Sequence, residues 1–121
     1  MDASQLQDWL AAYGLAWVTR DADAAAALFG PDALYHESPY DAPFEGSAGV
    51  REYWASVTED QRNVDFDSEV IGVFDGSGVA LWSARFELTS TGATVELNGV
   101  FLLEFDDQMR CTSLREWWHA R

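Results

Sequence analysis

The stretch Asp32-Ala-Leu-Tyr-His-Glu-Ser-Pro-Tyr40 is the segment from which the fold of this chain can be predicted outward in both directions. The run from Ala33 to Ser38 is typical of a short strand, and near its end come a carboxylate, Glu37, and a proline, Pro39. Helical patterns stand on both sides of it, and alternating patterns fill the second half of the chain. We therefore expect helices and sheet to form walls around the end of this strand, with Glu37 near the centre of any chemistry.

Two helices are expected before this strand. Apolar residues at helical spacing predict a first helix of roughly four turns that ends near Arg20. Its apolar face would consist of Leu6, Trp9, Leu10, Tyr13 and Trp17. A second, short helix is expected from Ala24 to Phe29, with Asp21 or Asp23 as its N-cap and Gly30-Pro31 as its stop.

A third helix is expected after the strand, and the pattern then changes to alternation with a period of two. Ser47 is expected to cap this helix, whose buried side would carry Val50, Tyr53, Trp54 and Val57. Alternating apolar residues then predict four strands: Val64–Phe74, Ala80–Leu88, Val95–Phe105 and Met109–His119. The chain 1–121 is therefore predicted to be a single α+β domain, a cone-shaped curved antiparallel sheet with three N-terminal-half helices packed on its concave face. The open end of such a cone is a natural site for a small molecule.

The charge of the chain argues against several classes of partner. With 21 acidic and 7 basic residues, its net charge of −14 disfavours binding to nucleic acid or to an anionic membrane surface. The chain contains no Lys, which removes Schiff-base chemistry and the lysine of a phosphate-binding loop. Six Trp, seven Phe and four Tyr instead predict a core or cavity lined by aromatic rings.

No metal site, cofactor site or targeting segment is predicted. Cys111 is the one cysteine, so neither a disulfide nor a paired-cysteine metal motif can form, and a small buried thiol is expected. His36 and His119 lack the spacing of a metal-ligand pair. The first residues lack the apolar region of a signal peptide, and no run reaches the length of a transmembrane helix. We expect a soluble protein of the cytoplasm.

Several motifs along the chain are shared with a known superfamily. In the first half they are Tyr13, Asp21, Leu28-Phe29, Asp32-Ala-Leu-Tyr-His-Glu-Ser-Pro39, Phe44-Glu-Gly46 and Val50-Arg-Glu-Tyr-Trp54. In the second half they are Leu97-Asn-Gly-Val-Phe101 and Leu114-Arg-Glu-Trp-Trp118. By these residues the chain resembles the SnoaL-like and ketosteroid-isomerase-like members of the nuclear-transport-factor-2-like superfamily over nearly its whole length. Such a resemblance is informative about fold, whereas function varies among isomerases, cyclases, dehydratases, hydrolases and non-catalytic binders.

The resemblance implies roles for individual residues. Glu37 falls where ketosteroid isomerases keep their carboxylate general base, and Tyr13 falls where they keep a tyrosine that donates to the substrate oxyanion. Trp118 matches an aromatic residue that lines the cavity. Phe101 stands where those enzymes keep the protonated aspartate of the oxyanion hole. One donor is therefore expected to be missing, and loss of such a donor typically costs orders of magnitude in rate.

Alternation along the first strand is expected to place Tyr35 and Glu37 on the inner face and His36 on the outer face. A carboxylate in an aromatic cavity loses solvation, which raises its pKa towards the range of an effective general base or acid. Glu37 could then abstract a proton next to a carbonyl, with Tyr13 as the donor to the enolate. Alternatively, Glu37 is a solvated side chain at the cavity rim.

Two residues of the last strand are secondary candidates. Glu116 shares its parity with inward-facing residues, and two carboxylates in one cavity could divide acid and base roles in epoxide opening or hydration. Alternatively, Glu116 pairs with Arg115 or Arg85 on the sheet. His119 could reach the cavity mouth as an acid or base.

Three functions are consistent with these patterns. The first is a cofactor-independent isomerase, cyclase or hydrolase that moves protons on an apolar, carbonyl-bearing or polycyclic compound, with Glu37 as base and Tyr13 as donor. The lining of its cavity would include Tyr35, Trp54, Trp82, Phe86, Phe101 and Trp118. The second is a ligand-binding or accessory protein without turnover, and the third is a dimerisation module. Homodimerisation through the sheet is implied by the resemblance, and apolar Val100, Leu102 and Trp117 on the outer face favour it.

Overall fold

The computed structural model describes all residues of the chain, from Met1 to Arg121. The helices are α1 (Ala3–Val18), α2 (Ala22–Ala26) and α3 (Gly46–Val57), and a short 3-10 helix spans Thr58–Asp60. The strands are β1 (Phe29–His36), β2 (Phe44–Glu45), β3 (Gln61–Phe74), β4 (Ser77–Leu88), β5 (Thr94–Phe105) and β6 (Cys111–Ala120). The predicted α+β class is confirmed, with three helices packed on a curved sheet that does not close. No helix combines the length and the apolar character needed to cross a membrane, and the cytoplasmic location expected from the sequence stays a prediction.

The six strands form one sheet in the order β2-β1-β6-β5-β4-β3. Strands β3 to β6 form an antiparallel meander, as predicted, and β2 pairs antiparallel with β1. β1 lies parallel to β6, so the sheet is mixed and not wholly antiparallel as expected. The reason is the connection, because α3 and three strands of the meander lie between the two and supply the long crossover that a parallel pair needs. This pairing sets Tyr35 beside Leu114 and brings the end of β1 next to the middle of β6.

The short helix α2 begins at Ala22, directly after one of its two predicted N-caps, and ends earlier than predicted. Its N-cap is Asp21, whose side chain accepts a hydrogen bond from the backbone N–H of Ala24 at 3.0 Å. The helix ends at Ala26, because Phe29 already pairs with β6 in the sheet. The predicted stop at Gly30-Pro31 is therefore wrong, since both residues belong to β1.

The start of α3 differs from the prediction in a similar way. Its N-cap is Glu45, and Ser47 lies inside the first turn, so the expectation that Ser47 caps this helix is wrong. Gly46 has a φ of +71°, and a Cβ at this position would lie 2.7 Å from the carbonyl oxygen of Pro31. The chain therefore turns from β2 into the helix at a position that requires glycine. The predicted buried face of the helix is confirmed.

The core lies between α1 and the concave face of the sheet and is largely aromatic. Tyr13 packs against Phe101 with ring centroids 5.5 Å apart, and Trp82 stacks on the same Phe101 at 5.1 Å. Gly99 makes room for Trp82, because a Cβ there would lie 2.8 Å from the indole nitrogen. Cys111 is buried and free, as predicted. A cavity remains between α1, α3 and the sheet.

Candidate active site

This cavity has a volume of about 280 Å³. Most of its wall is apolar and contains Trp17, Trp54, Val57, Trp82, Phe86, Val95, Leu97, Trp118 and Ala120. The polar or ionisable side chains in the wall are those of Tyr13, Tyr35, Glu37, Tyr53, Gln61 and Glu116. Small-molecule sites typically combine an apolar wall with a few convergent polar groups, and this volume lies near the lower end of their range. The cavity is therefore the candidate active site.

Tyr13 and Tyr35 reach the cavity from different elements, α1 and β1. Their hydroxyl oxygens are 2.9 Å apart and share a buried hydrogen bond. Burial raises the pKa of both hydroxyls well above the ordinary value, and the charge of Glu116 raises it further. Both groups therefore stay protonated, and the hydrogen bond between them uses one of their two O–H groups.

Tyr53 adds a third tyrosine from α3. Its ring centroid lies 5.0 Å from that of Tyr35 and 4.6 Å from that of Phe44. Burial raises the pKa of Tyr53, and the charges of Glu116 and Glu37 add to the effect. A cluster of three neutral tyrosines thus surrounds the polar part of the cavity.

Glu37 lies directly after the last residue of β1, where the chain leaves the sheet. Its side chain borders the cavity, is partly buried and belongs to no ion pair. Burial raises the pKa of this carboxyl, and the negative charge of Asp41 raises it further. A carboxylate of this kind binds a proton more tightly than a surface glutamate does, which suits it to general-base chemistry.

Glu116 lies in β6, in register with Phe101 of β5. It is 6% exposed and lines the cavity. The ion pairs of the protein do not include it, so the alternative in which Glu116 pairs with Arg115 or Arg85 is wrong. The reason is the alternation of side chains along a strand, which turns Glu116 inward with Leu114 and turns Arg115 to the other face.

The two carboxyl groups influence each other across one apolar space. Burial raises the pKa of Glu116 well above its ordinary value of 4.5, and the charge of Glu37 raises it further. Glu37 is less enclosed, so its ionised form is less disfavoured. Of the two carboxyls, Glu116 therefore holds a proton more firmly than Glu37 does.

Two of the expected site residues lie outside the cavity wall. His119 pairs with Asn98 across the sheet and lines a polar groove, not the cavity. The groove shares Leu97 and Ala120 with the cavity wall, and the expectation that His119 acts at the cavity mouth stays a prediction. Phe101 is fully buried behind Tyr13 and is not a lining residue. No group of three or more His, Cys, Asp or Glu side chains is placed to hold a metal ion.

Seven wall residues were not among the sequence candidates: Trp17, Tyr53, Val57, Gln61, Val95, Leu97 and Ala120. Trp17 follows Tyr13 by four residues on one helix, and this spacing could have identified it as a neighbour in the site. Tyr53 precedes Trp54 on the predicted buried side of α3, a weaker signal of the same kind. Gln61 carries no sequence signal, because its burial depends on where β3 begins relative to α1.

Comparison with solved structures supports the fold, whereas no curated protein matches the chain. One similar structure is that of SalBIII, an epoxide hydrolase/cyclase-like enzyme with a role in pyran ring formation in the polyether salinomycin. Its TM-score is 0.82 at 22% identity, and the match covers 98% of this chain and 95% of SalBIII. A protein of ketosteroid isomerase-like fold from Catenulispora acidiphila DSM 44928, in complex with trimethylamine, has a TM-score of 0.79 and 15% identity, over 90% and 83% of the two chains. A computationally designed 17-OHP binder has a TM-score of 0.79 and 19% identity, over 95% and 96%. At such identities the similarity shows the fold alone.

The sequence itself shows the family. The family model of the SnoaL-like domain matches residues 7–112. This range runs from α1 to the start of β6 and includes Tyr13, Tyr35, Glu37 and Tyr53, whereas Glu116 lies beyond it. The chain therefore belongs to the SnoaL-like domain family.

Proposed function

We propose that this protein is a cofactor-independent enzyme of the isomerase or cyclase type that moves protons on a compact, apolar, carbonyl-bearing molecule. The observation that carries the proposal is the presence of two carboxyl groups, Glu37 and Glu116, in the wall of one aromatic cavity. Their environments differ, since Glu116 is almost fully enclosed and Glu37 is partly buried. Titratable groups whose environments separate their protonation can divide the roles of base and acid.

Glu37 acts as the general base in this proposal. It is the more accessible carboxyl, and its raised pKa brings its basicity closer to the strength that proton abstraction next to a carbonyl needs. Its place at the end of β1, next to the cavity, allows the side chain to move between two carbon atoms of one substrate. Removal of a positioned general base typically lowers the rate about 10²- to 10⁴-fold.

Tyr13 and Glu116 act as the donors to the developing oxyanion. The hydroxyl pair of Tyr13 and Tyr35 has one O–H to spare, and the neutral carboxyl of Glu116 offers a second. The resemblance leads one to expect this second donor at Phe101, and Glu116 stands directly across from Phe101 on the neighbouring strand. The second donor would thus lie on β6 and not on β5, and together with Tyr13 it would form an oxyanion hole of two groups.

The reaction we propose is a proton transfer through an enolate. The Glu37 carboxylate takes a proton from the carbon next to the carbonyl, and the electron pair of that C–H bond moves into the C=O group. The enolate oxygen accepts hydrogen bonds from Tyr13 and Glu116, which lose no proton in this step. The protonated Glu37 then returns its proton to another carbon of the conjugated system, which completes an isomerisation and regenerates the carboxylate.

Ring opening of an epoxide is a second candidate for the same pair of carboxyls. Glu116 would give its proton to the epoxide oxygen as the C–O bond breaks, and Glu37 would take the proton of the attacking hydroxyl or water. The fold similarity to SalBIII, an epoxide hydrolase/cyclase-like enzyme, favours this chemistry as the alternative. The two carboxyls then need one proton exchange with solvent before the next turnover.

A non-catalytic role as a ligand-binding protein uses the same cavity. The apolar wall and the fold similarity to a designed 17-OHP binder favour this reading. It differs from the enzyme reading in one respect, since it needs the shape of the cavity and not the base Glu37.

Variants of Glu37 distinguish the two readings. The probes are a β,γ-unsaturated bicyclic ketone, whose conjugated product absorbs in the ultraviolet, and an epoxy alcohol that can close to a cyclic ether. Glu37→Gln is expected to lower kcat/KM at least about 100-fold on the probe that is turned over, with little change in melting temperature. The matched control is Glu52→Gln on the exposed side of α3, which is expected to retain full activity. Equal activity of Glu37→Gln and wild type would remove Glu37 as the base, and ligand binding without turnover in both would establish the binding reading.

A homodimer through the outer face of the sheet is part of the proposal. Leu81, Val100 and Trp117 lie in register on three adjacent strands, and Leu81 and Trp117 are 42% and 47% exposed. Such a row of apolar side chains on an outer sheet face favours a partner surface. We expect sedimentation to give the mass of two chains for the wild type and of one chain for Trp117→Arg. A wild-type mass of one chain at micromolar concentration would contradict the dimer.

A further inference from the structure

Gln61 is a polar side chain in an otherwise apolar part of the cavity wall. It is the first residue of β3, follows the 3-10 helix, and is only 5% exposed. Buried amide side chains normally have partners for both their oxygen and their nitrogen. The question is therefore which groups satisfy the two ends of this amide.

The oxygen end of Gln61 is held by α1. The indole N–H of Trp17 donates to Oε1 of Gln61 at 2.8 Å, and Nη1 of Arg20 donates to the backbone oxygen of Gln61 at 2.9 Å. Because an indole N–H can only donate, this contact identifies Oε1 and sets the direction of the amide group. Gln61 is thus fixed at its side chain and at its backbone by the last turn of α1 and the residues that follow it.

The nitrogen end has no partner in the protein. Nε2 of Gln61 makes no hydrogen bond within the protein. The side-chain polar atoms that lack a partner and are also sealed from solvent are the indole nitrogens of Trp54 and Trp82, so Nε2 of Gln61 is not sealed. Nε2 therefore borders space that a water molecule or a ligand can occupy, and the space that Gln61 lines is the cavity. The amide presents two N–H donors to it.

These donors lie apart from the reacting groups. Trp17, which holds Gln61, comes four residues after Tyr13 on α1, and this spacing corresponds to about 6 Å along the helix axis. The cavity wall thus has the carboxyls and tyrosines as one polar group and the amide of Gln61, held by Trp17, as a second.

We propose that Gln61 is a specificity-determining residue that donates a hydrogen bond to a second oxygen of the substrate, remote from the reacting carbonyl. The substrate class is accordingly a compact apolar molecule with two oxygen functions, the second being a carbonyl, ether or hydroxyl oxygen. The proposal rests on the proposed function in one respect, namely the assignment of the end of the substrate that reacts. Its test is a binding measurement that needs no turnover.

The test compares a bicyclic diketone, with one carbonyl on each ring, and the bicyclic monoketone that lacks the second carbonyl. Isothermal titration calorimetry is expected to show that the wild type binds the diketone about three- to tenfold more tightly, the effect of one buried hydrogen bond. Gln61→Met retains the length of the side chain without the donor and is expected to bind both ketones equally. Val57→Ala, a change in the same wall without a polar group, is the matched control and is expected to retain the preference.

A second measurement does not depend on the folding of any variant. In the wild type, the side-chain amide resonances of Gln61 are expected to shift on addition of the diketone and to stay in place with the monoketone. A wild type without preference for the diketone, including one that binds neither ketone, would overturn the proposal, and so would a preference that survives in Gln61→Met. Failure of the proposed function is distinguishable, because an active Glu37→Gln variant would refute the base and leave the ketone preference unchanged.

Discussion

An outer groove of about 790 Å³, lined mostly by outward-facing side chains, shares Leu97 and Ala120 with the inner cavity of about 280 Å³. The outer groove has more ionisable groups in its wall: Asp65, Asp67, Arg85, Glu96, His119 and Arg121. They face solvent or an opposite charge, as in the ion pair of Arg121 and Glu96 at 3.2 Å. The inner cavity has two carboxyls only, and neither has a positively charged partner.

The difference between the faces shows that burial without a partner matters more for acid–base chemistry than the number of charged residues. Glu116 and His119 stand three residues apart on β6, yet one lines the cavity and the other lines the groove. Water and neighbouring charges stabilise an ion on the outer face, whereas the aromatic wall disfavours one on the inner face. The larger of the two concavities is therefore the weaker candidate for catalysis.

The largest effect expected to separate the two faces comes from substituting Glu116 and His119 of β6 one at a time. Glu116→Leu removes a donor to the oxyanion and is expected to lower kcat/KM on the isomerisation probe about 10²- to 10³-fold. His119→Leu, on the outer face of the same strand, is expected to keep wild-type kcat/KM. The comparison would break down if the His119 variant lost as much activity as the Glu116 variant.

The next effect is on stability as a function of pH. Glu116 keeps its proton in the folded state at pH values where the unfolded chain has lost it, because its pKa is raised from 4.5. The folded state then binds more protons, so the free energy of unfolding falls as pH rises above 4.5, by at most about 1.4 kcal/mol per pH unit. The side chain of Glu116→Gln does not titrate, so this pH-dependent fall in the free energy of unfolding is absent from the variant. The variant is therefore expected to melt at a higher temperature than the wild type at alkaline pH.

Melting curves of wild type, Glu116→Gln and the exposed control Glu52→Gln over a range of pH values test this prediction. The gain in Glu116→Gln is expected to narrow as the pH falls towards 4.5, and Glu52→Gln is expected to follow the wild-type profile. A gain that does not depend on pH would mean that packing, and not the titration of Glu116, separates the two proteins.

A smaller effect is expected from the packing beneath the cavity. Gly99→Ala places a Cβ 2.6 Å from the backbone oxygen of Trp117 and 2.8 Å from Trp82, and such overpacking typically costs about 1–3 kcal/mol. Gly72→Ala is the matched control in β3, because its nearest contact would be an ordinary 3.9 Å to Phe74. Urea unfolding is expected to show a lower midpoint for the first variant only, and equal midpoints would contradict the close packing of Trp82 on β5.

The smallest effect is expected on the outer face. Arg121→Gln removes the ion pair with Glu96, whose side chains are 85% and 46% exposed. Exposed pairs of this kind contribute less than about 1 kcal/mol, so the change in melting temperature is expected to be small and to vanish at high salt. A large, salt-independent loss of stability would show that the outer groove is better shielded from water than its exposed side chains indicate.

Alternating patterns made the meander and the inward direction of Trp82 and Phe86 predictable, because a period of two leaves only one choice of face. The parallel pairing of β1 with β6 was not predictable, since it depends on where the chain returns after α3 and the meander. Glu116 was weighed as one of two alternatives, although the same alternation turns Arg115 and Arg85 to the opposite face of the sheet. Its near-complete burial was not predictable, because the helices that enclose the cavity are placed by the whole fold.

In the proposed mechanism Glu116 is neutral while Glu37, in the same cavity, is ionised. The most direct test follows the side-chain carboxyl carbon resonances of both residues in a pH titration, assigned through Glu37→Gln and Glu116→Gln. We expect Glu37 to lose its proton first, above the ordinary glutamate value of 4.5, and Glu116 to lose its proton only at a much higher pH. Titration of Glu116 at its ordinary value of 4.5 would contradict the raised proton affinity of this carboxyl.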